Sequence, residues 1–317
     1  MPDSLIQFLK QSSGYVSGEE LSRKIGVSRA GIWKYIEELR KLGYRIEALP
    51  NLGYKLKSIP DKLLPQEIQS GLKTNILGKE IIYFDTIDST MNVAFQKGME
   101  GAKEGTVVIA EGQSKGRGRM GRSWVSPKGK GIYMSVILRP KLSPTDVAKL
   151  TLLSAVCASE AIQEMCGLDA KIKWPNDILI GGKKIAGILT ELSAEMDRVR
   201  FVVIGMGINI NASQTQLPDH ATSLKAETGH SLSRVEFLQL VLLKLEQWYS
   251  IQQKQGFAVV FKRWKELSST LGRKVRMEDP SGIIEGRAVD LDEFGGLVIE
   301  NSSGVKVKRM SGDVVYV

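Results

Sequence analysis

VVIAEGQSKGRGRMGRSWVSPKGKGIYMSVIL, residues 107–138, reads as strand, long loop, strand. TVVIAEG and GIYMSVILRP are rich in Val and Ile, as strands are. The segment between them has neither a helical nor an alternating period. It interleaves Lys115, Arg117, Arg119 and Arg122 with Gly116, Gly118 and Gly121, then reaches Trp124. Glycines let backbone N–H groups come close to an anion. Arginines present planar forks for phosphate or carboxylate. Lined up in an empty site these cations repel, so the loop is expected to be mobile until an anion fills it. Composition alone leaves three uses open: a small-molecule anion site, a solvated basic hairpin tip, or a strip for nucleic-acid phosphates. GxxxxGK[ST] is absent, which excludes a kinase-type phosphate cradle.

Outward from this loop, residues 81–211 alternate strand-like runs (IIYFD, KIKWPN, KIAGILTEL, FVVIGMGINI) with helical ones (STMNVAFQKG, SPTDVAKLTLLSAVCASEAIQEMCG). A mixed sheet covered by helices is expected. Residues 231–268 read as helical. After them, short alternating runs broken by DPSG, EFGG and SSG suit a small antiparallel barrel.

At the other end, residues 4–14 read as a short amphipathic helix. Ser17 and Glu20 form a capping-box pattern for a second helix ending near Ile25. Ser28 caps a third, whose Ile32, Ile36 and Leu39 fall at i, i+4, i+7. YRIEAL, PNLG and YKLKS then make a hairpin. Helix, turn, helix, hairpin is a winged helix-turn-helix, whose second helix enters the major groove. Ser28, Arg29, Ala30, Trp33 and Lys34 lie where that helix would meet DNA; a three-helix packing domain with a solvated basic face would share the pattern. The expected domains are residues 1–62, 63–268 and 269–317, an α+β chain, with 60–75 a linker running into a helix.

The chain has 317 residues and a net charge of +9, and residues 1–60 carry ten Lys/Arg against six Asp/Glu. Such an excess suits nucleic acid or a phosphate-bearing small molecule. No apolar run approaches a membrane span, and the N-terminus lacks the basic start and apolar core of a secretory signal. A cytoplasmic protein is expected, with Cys157 and Cys166 reduced. His220 and His230 stand in no metal spacing, which argues against zinc or Ser-His-Asp chemistry.

Other stretches add polar residues at strand ends. DSTMNVA offers Ser89 and Thr90. KWPNDI places Asn176 and Asp177 in a turn. GGKKIAGILTE opens a strand with Lys184, and GMGINI closes one with Asn209. Taken in order, DST, GQ, GRGRxGR with W, KWPND, GKKIAGIL and GxGIN closely resemble the biotin–protein ligase family across essentially the whole chain. The winged helix resembles the branch that also represses the biotin operon.

The resemblance implies a catalytic domain of class II synthetase type and a C-terminal SH3-like barrel. It implies that the biotin carboxylate attacks the α-phosphorus of ATP, giving biotinyl-5′-adenylate, and that a lysine of a biotin carboxyl carrier domain then takes the biotin. By motif, Ser89, Thr90, Met91 and Gln113 would bind biotin. Arg117, Gly118 and Arg119 would close over biotin and adenylate, and Arg122 and Trp124 would serve the nucleotide. Asn176, Asp177 and Asn209 would serve ATP and its metal. Lys184 would contact the carboxylate and the reacting phosphate, and with Arg119 would carry catalysis. Mg2+ would arrive with ATP rather than in a protein cage. The partners implied are the carrier domain of acetyl-CoA carboxylase or another biotin-dependent carboxylase, operator DNA, and a second copy of the chain when adenylate is bound. Met120 and Met91 depart from the family's usual polar residues. A lipoate-type ligase and a non-catalytic biotin-sensing regulator are the alternatives.

Overall fold

The computed structural model describes residues 2–196, 198–279 and 282–317. It divides into two compact units, Met1–Lys62 and Leu63–Val317.

In the first unit, helices α1 (Pro2–Gln11), α2 (Gly18–Ile25) and α3 (Arg29–Leu42) precede an antiparallel pair, β1 (Arg45–Leu49) and β2 (Gly53–Ser58). Ser17 accepts the Glu20 N–H at 3.1 Å, and Ser28 accepts the Gly31 N–H at 3.2 Å. These caps satisfy donors that a helix start leaves orphaned. Gly26 (φ 74°) and Gly43 (φ 106°) end α2 and α3 in the left-handed region. Leu5, Ile6, Leu9, Leu21, Ile32, Ile36 and Leu39 form the core. α1 stops before the Ser-Ser-Gly that was expected to end it; Ser12 folds back onto the Phe8 carbonyl.

The second unit opens with α4 (Pro65–Gly71), β3 (Ile81–Phe84), α5 (Thr90–Met99), β4 (Val107–Ala110) and β5 (Gly131–Leu138). It continues with α6 (Ala148–Cys166), β6 (Lys171–Lys173), β7 (Asp177–Ile180), β8 (Lys183–Glu195) and β9 (Arg198–Asn209). Seven strands form one sheet in the order β3-β4-β5-β9-β8-β7-β6. Only β3–β4 is parallel, so the sheet is mixed. The strand period of two sorts its side chains. Val107, Ile109, Val136, Val202 and Ile204 join the large core that contains α6. Val108, Ile137, Phe201 and Val203 pack with Met91 and Ala94 of α5.

Helices α7 (Leu224–Thr228), α8 (Arg234–Gln255) and α9 (Phe257–Leu267) follow. The expected helix over 231–268 is two, because Gly256 takes φ 77°. The helix expected over 143–167 starts as a 3-10 turn at Pro144–Asp146. Sequence reading also missed α7 and β7. Asp177 does not lie in the turn after Pro175 but opens β7, and Gly181 and Gly182, both at positive φ, return the chain into β8.

The last strands, β10 (Lys274–Asp279), β11 (Gly282–Leu291), β12 (Leu297–Glu300), β13 (Lys306–Arg309) and β14 (Asp313–Tyr316), make the SH3-like antiparallel sheet, ordered β13-β12-β11-β10-β14. Its Val275, Met277, Leu297 and Val314 belong to the same core as α6. Trp174 fastens the two sheets: its backbone N–H donates to Thr270 Oγ1 at 3.0 Å and its Nε1–H to the Gly295 carbonyl at 3.1 Å.

Candidate active site

A cavity of about 320 Å3 lies on the seven-stranded sheet, in the range usual for small-molecule sites. Every pocket residue singled out from sequence lines it: Ser89, Thr90, Met91, Gln113, Arg117, Gly118, Arg119, Arg122, Trp124, Asn176, Asp177, Lys184 and Asn209.

Glycines on β8 and β9 form its floor. Gly187 faces Gly207 in the register, and Leu189 faces Gly205. A Cβ on Gly205 would stand 2.5 Å from Met91 Sδ, and one on Gly207 would stand 2.4 Å from Trp124 Cε2 and Nε1. One on Gly187 would stand 3.0 Å from Trp124 Cζ3 and 3.2 Å from Lys184 Cε. Side chains from α5, the loop and β8 therefore lie flat on the sheet because these positions carry none of their own.

Along β9 the character changes. Near Gly205 it is neutral. Thr90 donates through its N–H and its hydroxyl to Gln113 Oε1, at 2.9 and 3.1 Å. Gln113 Nε2–H donates to Ser126 Oγ at 3.0 Å, and Ser135 Oγ–H to Thr90 Oγ1 at 2.9 Å. Ser89 caps α5, yet its buried hydroxyl has no partner among the described residues. A buried hydroxyl left unbonded costs free energy, so it is poised for a ligand. Met91, Met134, Leu189 and Met206 supply the apolar wall.

Two residues further along, about 7 Å at the strand rise, the cavity is cationic. Lys184 Nζ lies 2.7 Å from Asp177 Oδ1 and 5.3 Å from the Trp124 ring centroid. Its backbone is held by the segment after β9: its N–H donates to the His220 carbonyl and its carbonyl accepts from Thr222, both at 2.9 Å. Arg119 donates to Asn176 Oδ1 at 3.2 Å; the Asn176 amide in turn donates to the Ile188 carbonyl at 2.8 Å. Asn209 donates to the Thr222 carbonyl at 3.0 Å. Burial pulls Arg119 below the usual arginine value, and Arg122 adds to that. Burial also lowers Lys173, with Lys184 and Arg122 adding repulsion and Asp177 opposing.

The loop differs from the sequence expectation of self-repelling arginines. Each has a partner: Arg117 pairs with Glu191 and donates to Asn92 Oδ1 at 2.8 Å, and Arg122 pairs with Asp313 of the C-terminal sheet. Gly118 N–H donates to the Arg122 carbonyl at 2.7 Å and Trp124 N–H to the Gly116 carbonyl at 2.8 Å. Met120 sits exposed at the loop tip in the left-handed region, φ 53°. Sequence reading missed Lys173, Asp313 and His220, which also line the cavity. Lys173 was legible as the basic residue of KWPND. Asp313 carried no local signal.

In the first unit, Ser28, Arg29, Ala30, Trp33 and Lys34 are all exposed on the N-terminal part of α3, Trp33 at 59%. The other face of that helix holds the core. This leaves an exposed face of two basic residues and one indole on the second helix of the helix-turn-helix pair.

The comparisons agree with this layout. The sequence profile of the HTH domain matches residues 3–55, that of the Biotin/lipoate A/B protein ligase family matches 83–209, and that of the Biotin protein ligase C terminal domain matches 270–316. The bifunctional ligase/repressor BirA of Bacillus subtilis is 42% identical over 98% of this chain and 97% of its own. That of Escherichia coli is 30% identical over 99% and 96%. The biotin protein ligase of Aquifex aeolicus, solved in complex with biotin and ATP, is 30% identical; it superposes with a TM-score of 0.65 over 75% of this chain and 98% of its own. With three domain matches in order and full-length relatives at this identity, the chain belongs to the biotin–protein ligase family, in its bifunctional ligase/repressor branch.

Proposed function

We propose that this protein activates biotin with ATP, transfers it to a lysine of a carrier protein, and represses transcription when biotin is plentiful. One observation carries the reading. A single cavity runs from a neutral, hydroxyl-lined end at Ser89, Thr90 and Gln113, past an apolar wall, to a cationic end at Lys184, Arg119 and Arg122. Biotin has the same order: a neutral ureido ring of N–H donors and one carbonyl, an apolar middle, and a carboxylate.

At the cationic end two anions must meet. The biotin carboxylate is ionised at neutral pH without a base, but it is repelled by the α-phosphate it attacks. Lys184 and Arg119 offset that repulsion and the charge that builds at phosphorus. A carboxylate oxygen bonds to the α-phosphorus, the bond to the bridging oxygen breaks, and pyrophosphate leaves. Trp124 and the loop hold the adenylate away from water. A neutral lysine amine of the carrier then attacks the acyl carbon. The acyl–oxygen bond breaks, AMP leaves, and the amine's proton passes to AMP or water. Asn176, Asp177 and Asn209 serve the nucleotide. Mg2+ would arrive with the ATP phosphates.

On this reading the carrier is the biotin carboxyl carrier domain of a biotin-dependent carboxylase. The adenylate-bound protein forms a homodimer that sets two winged helices on a palindromic operator. The protein works in the cytoplasm; among the described residues no helix is long and apolar enough to cross a membrane. The test is labelled biotin with ATP-Mg and a carrier domain, with lipoate as competitor. ATP-dependent label on the carrier lysine, undiminished by lipoate, is expected. Label transfer that lipoate suppresses at equal concentration would point to a lipoate-type ligase, and no transfer would leave a sensor without catalysis.

A further inference from the structure

The loop that covers the cavity has a neck, and one buried carboxylate closes it. Glu111 is the last residue before the loop. Its backbone N–H donates to the Phe84 carbonyl at 3.0 Å, and its carbonyl accepts from Gly129, at the loop's far end, at 2.9 Å. Its side chain reaches two further places. Oε2 accepts from Arg234 Nη1 at 2.8 Å, and the same nitrogen donates to the Gly131 carbonyl at 3.3 Å. Oε1 accepts the backbone N–H of Leu63 at 2.7 Å. Arg234 and Glu111 have side-chain exposures of 0% and 2%. Leu63 is the first residue of the second unit, directly after the segment that carries the winged helix. Gln113, two residues beyond Glu111, bonds to Thr90 and Ser126 at the neutral end of the cavity.

We infer that Glu111 is a positioning residue that ties loop closure over ligand to the point where the chain enters from the DNA-binding unit. The inference rests on the functional reading above and deepens it. A buried ion pair is a poor source of stability, because desolvation offsets its attraction; two-state positioning is a better-attested use for such a group. Glu111 holds the far end of the loop through its backbone carbonyl at Gly129 and, through its carboxylate, Arg234 and the Leu63 amide, so the loop neck and Leu63 open and close together. A ligand that orders the loop then orders Leu63, and a chain held at Leu63 favours the ligand equally.

The test is amide-resolved hydrogen exchange at Leu63 in the full-length protein, with and without biotin plus ATP-Mg, beside calorimetric titration with biotin. Ligand should slow exchange of the Leu63 amide by about 5–150-fold, the usual span of coupling between sites. Glu111→Gln puts an amide donor against either Arg234 or Leu63; it should abolish that slowing and raise the KM for biotin more than it lowers kcat. Arg234→Lys, which keeps the charge but not the fork, should weaken the slowing and serves if the first variant does not fold. Biotin binding with unchanged Leu63 exchange, or equal slowing in the variants, would overturn the clasp alone. No biotin binding at all would overturn the clasp and the functional reading together.

Discussion

Gly207→Ala is the change whose consequence the structure states most directly. The added Cβ would stand 2.4 Å from Cε2 and Nε1 of Trp124 and 3.0 Å from Cδ1. Carbon atoms pack best at about 3.5–4.0 Å, so the indole has to withdraw by about 1 Å or more. Gly207 lies inside β9 and is not among the glycines at positive φ, so its backbone accepts alanine without strain. The penalty therefore falls on the loop, not on the sheet. Overpacking costs about 1–3 kcal/mol, which would weaken any ligand that needs the loop closed by about 5–150-fold. Trp124 moving off also removes the ring face that lies 5.3 Å from Lys184 Nζ. Biotin and ATP affinities would be measured by titration, beside the melting temperature. The expected result is weaker binding with an almost unchanged melting temperature. Affinity within two-fold of wild type would show that Trp124 does not rest on Gly207 in the complex.

Three further outcomes follow from other parts of the chain. Within the loop, trypsin should cut at Arg122 before Arg117, the less exposed of these two ion-paired arginines at 41% against 62%, and biotin with ATP-Mg should slow that cut; an unchanged rate would disprove closure on ligand. Lys173→Met should raise the melting temperature at neutral pH while weakening ATP binding. The unfolded state binds more protons than the folded one between the depressed folded pKa of Lys173 and the ordinary lysine value, so stability rises with pH through that window and the charge is a cost below it. A lower melting temperature at pH 7 would contradict this. Changing both Arg29 and Lys34 to Ala should weaken operator binding and lower the salt slope by about 1 for each DNA phosphate that is no longer neutralised. Biotin transfer should stay near normal, and equal loss of both activities in a gel-shift and a transfer assay would show that the face is not a separable DNA reader.

What could be read from sequence was what is written locally. The caps at Ser17 and Ser28 and the spacing of Ile32, Ile36 and Leu39 determine the first unit, because a short helix needs only its own ends and one apolar face. The motif residues of the cavity were readable for a different reason: they sit in short stretches at strand ends, at the start of α5 and in the glycine-arginine loop, and the family resemblance says that these stretches meet. Residues whose partner lies far along the chain were not readable. Asp313 meets Arg122 across 191 positions, and Arg234 meets Glu111 across 123. The need for glycine at 187, 205 and 207 appears only once Trp124, Lys184 and Met91 are laid on the sheet. Strand β7 was missed because four residues between a turn and Gly181-Gly182 show too little alternation to declare a strand. The partners that neutralise the arginine loop were missed because charge repulsion was judged along the chain, whereas Glu191 and Asp313 arrive from other strands.

The central claim is that Lys184 assists attack of the biotin carboxylate on the α-phosphorus of ATP. Biotin-dependent exchange of labelled pyrophosphate into ATP measures that step alone, with no carrier protein or DNA present. A charge-assisted hydrogen bond contributes about 1.5–3 kcal/mol, and more where charge builds in a closed site. Exchange should therefore require biotin in the wild-type protein and fall by about one to three decades in Lys184→Ala, with the melting temperature little changed. Exchange without biotin, or a wild-type rate in Lys184→Ala, would contradict the account.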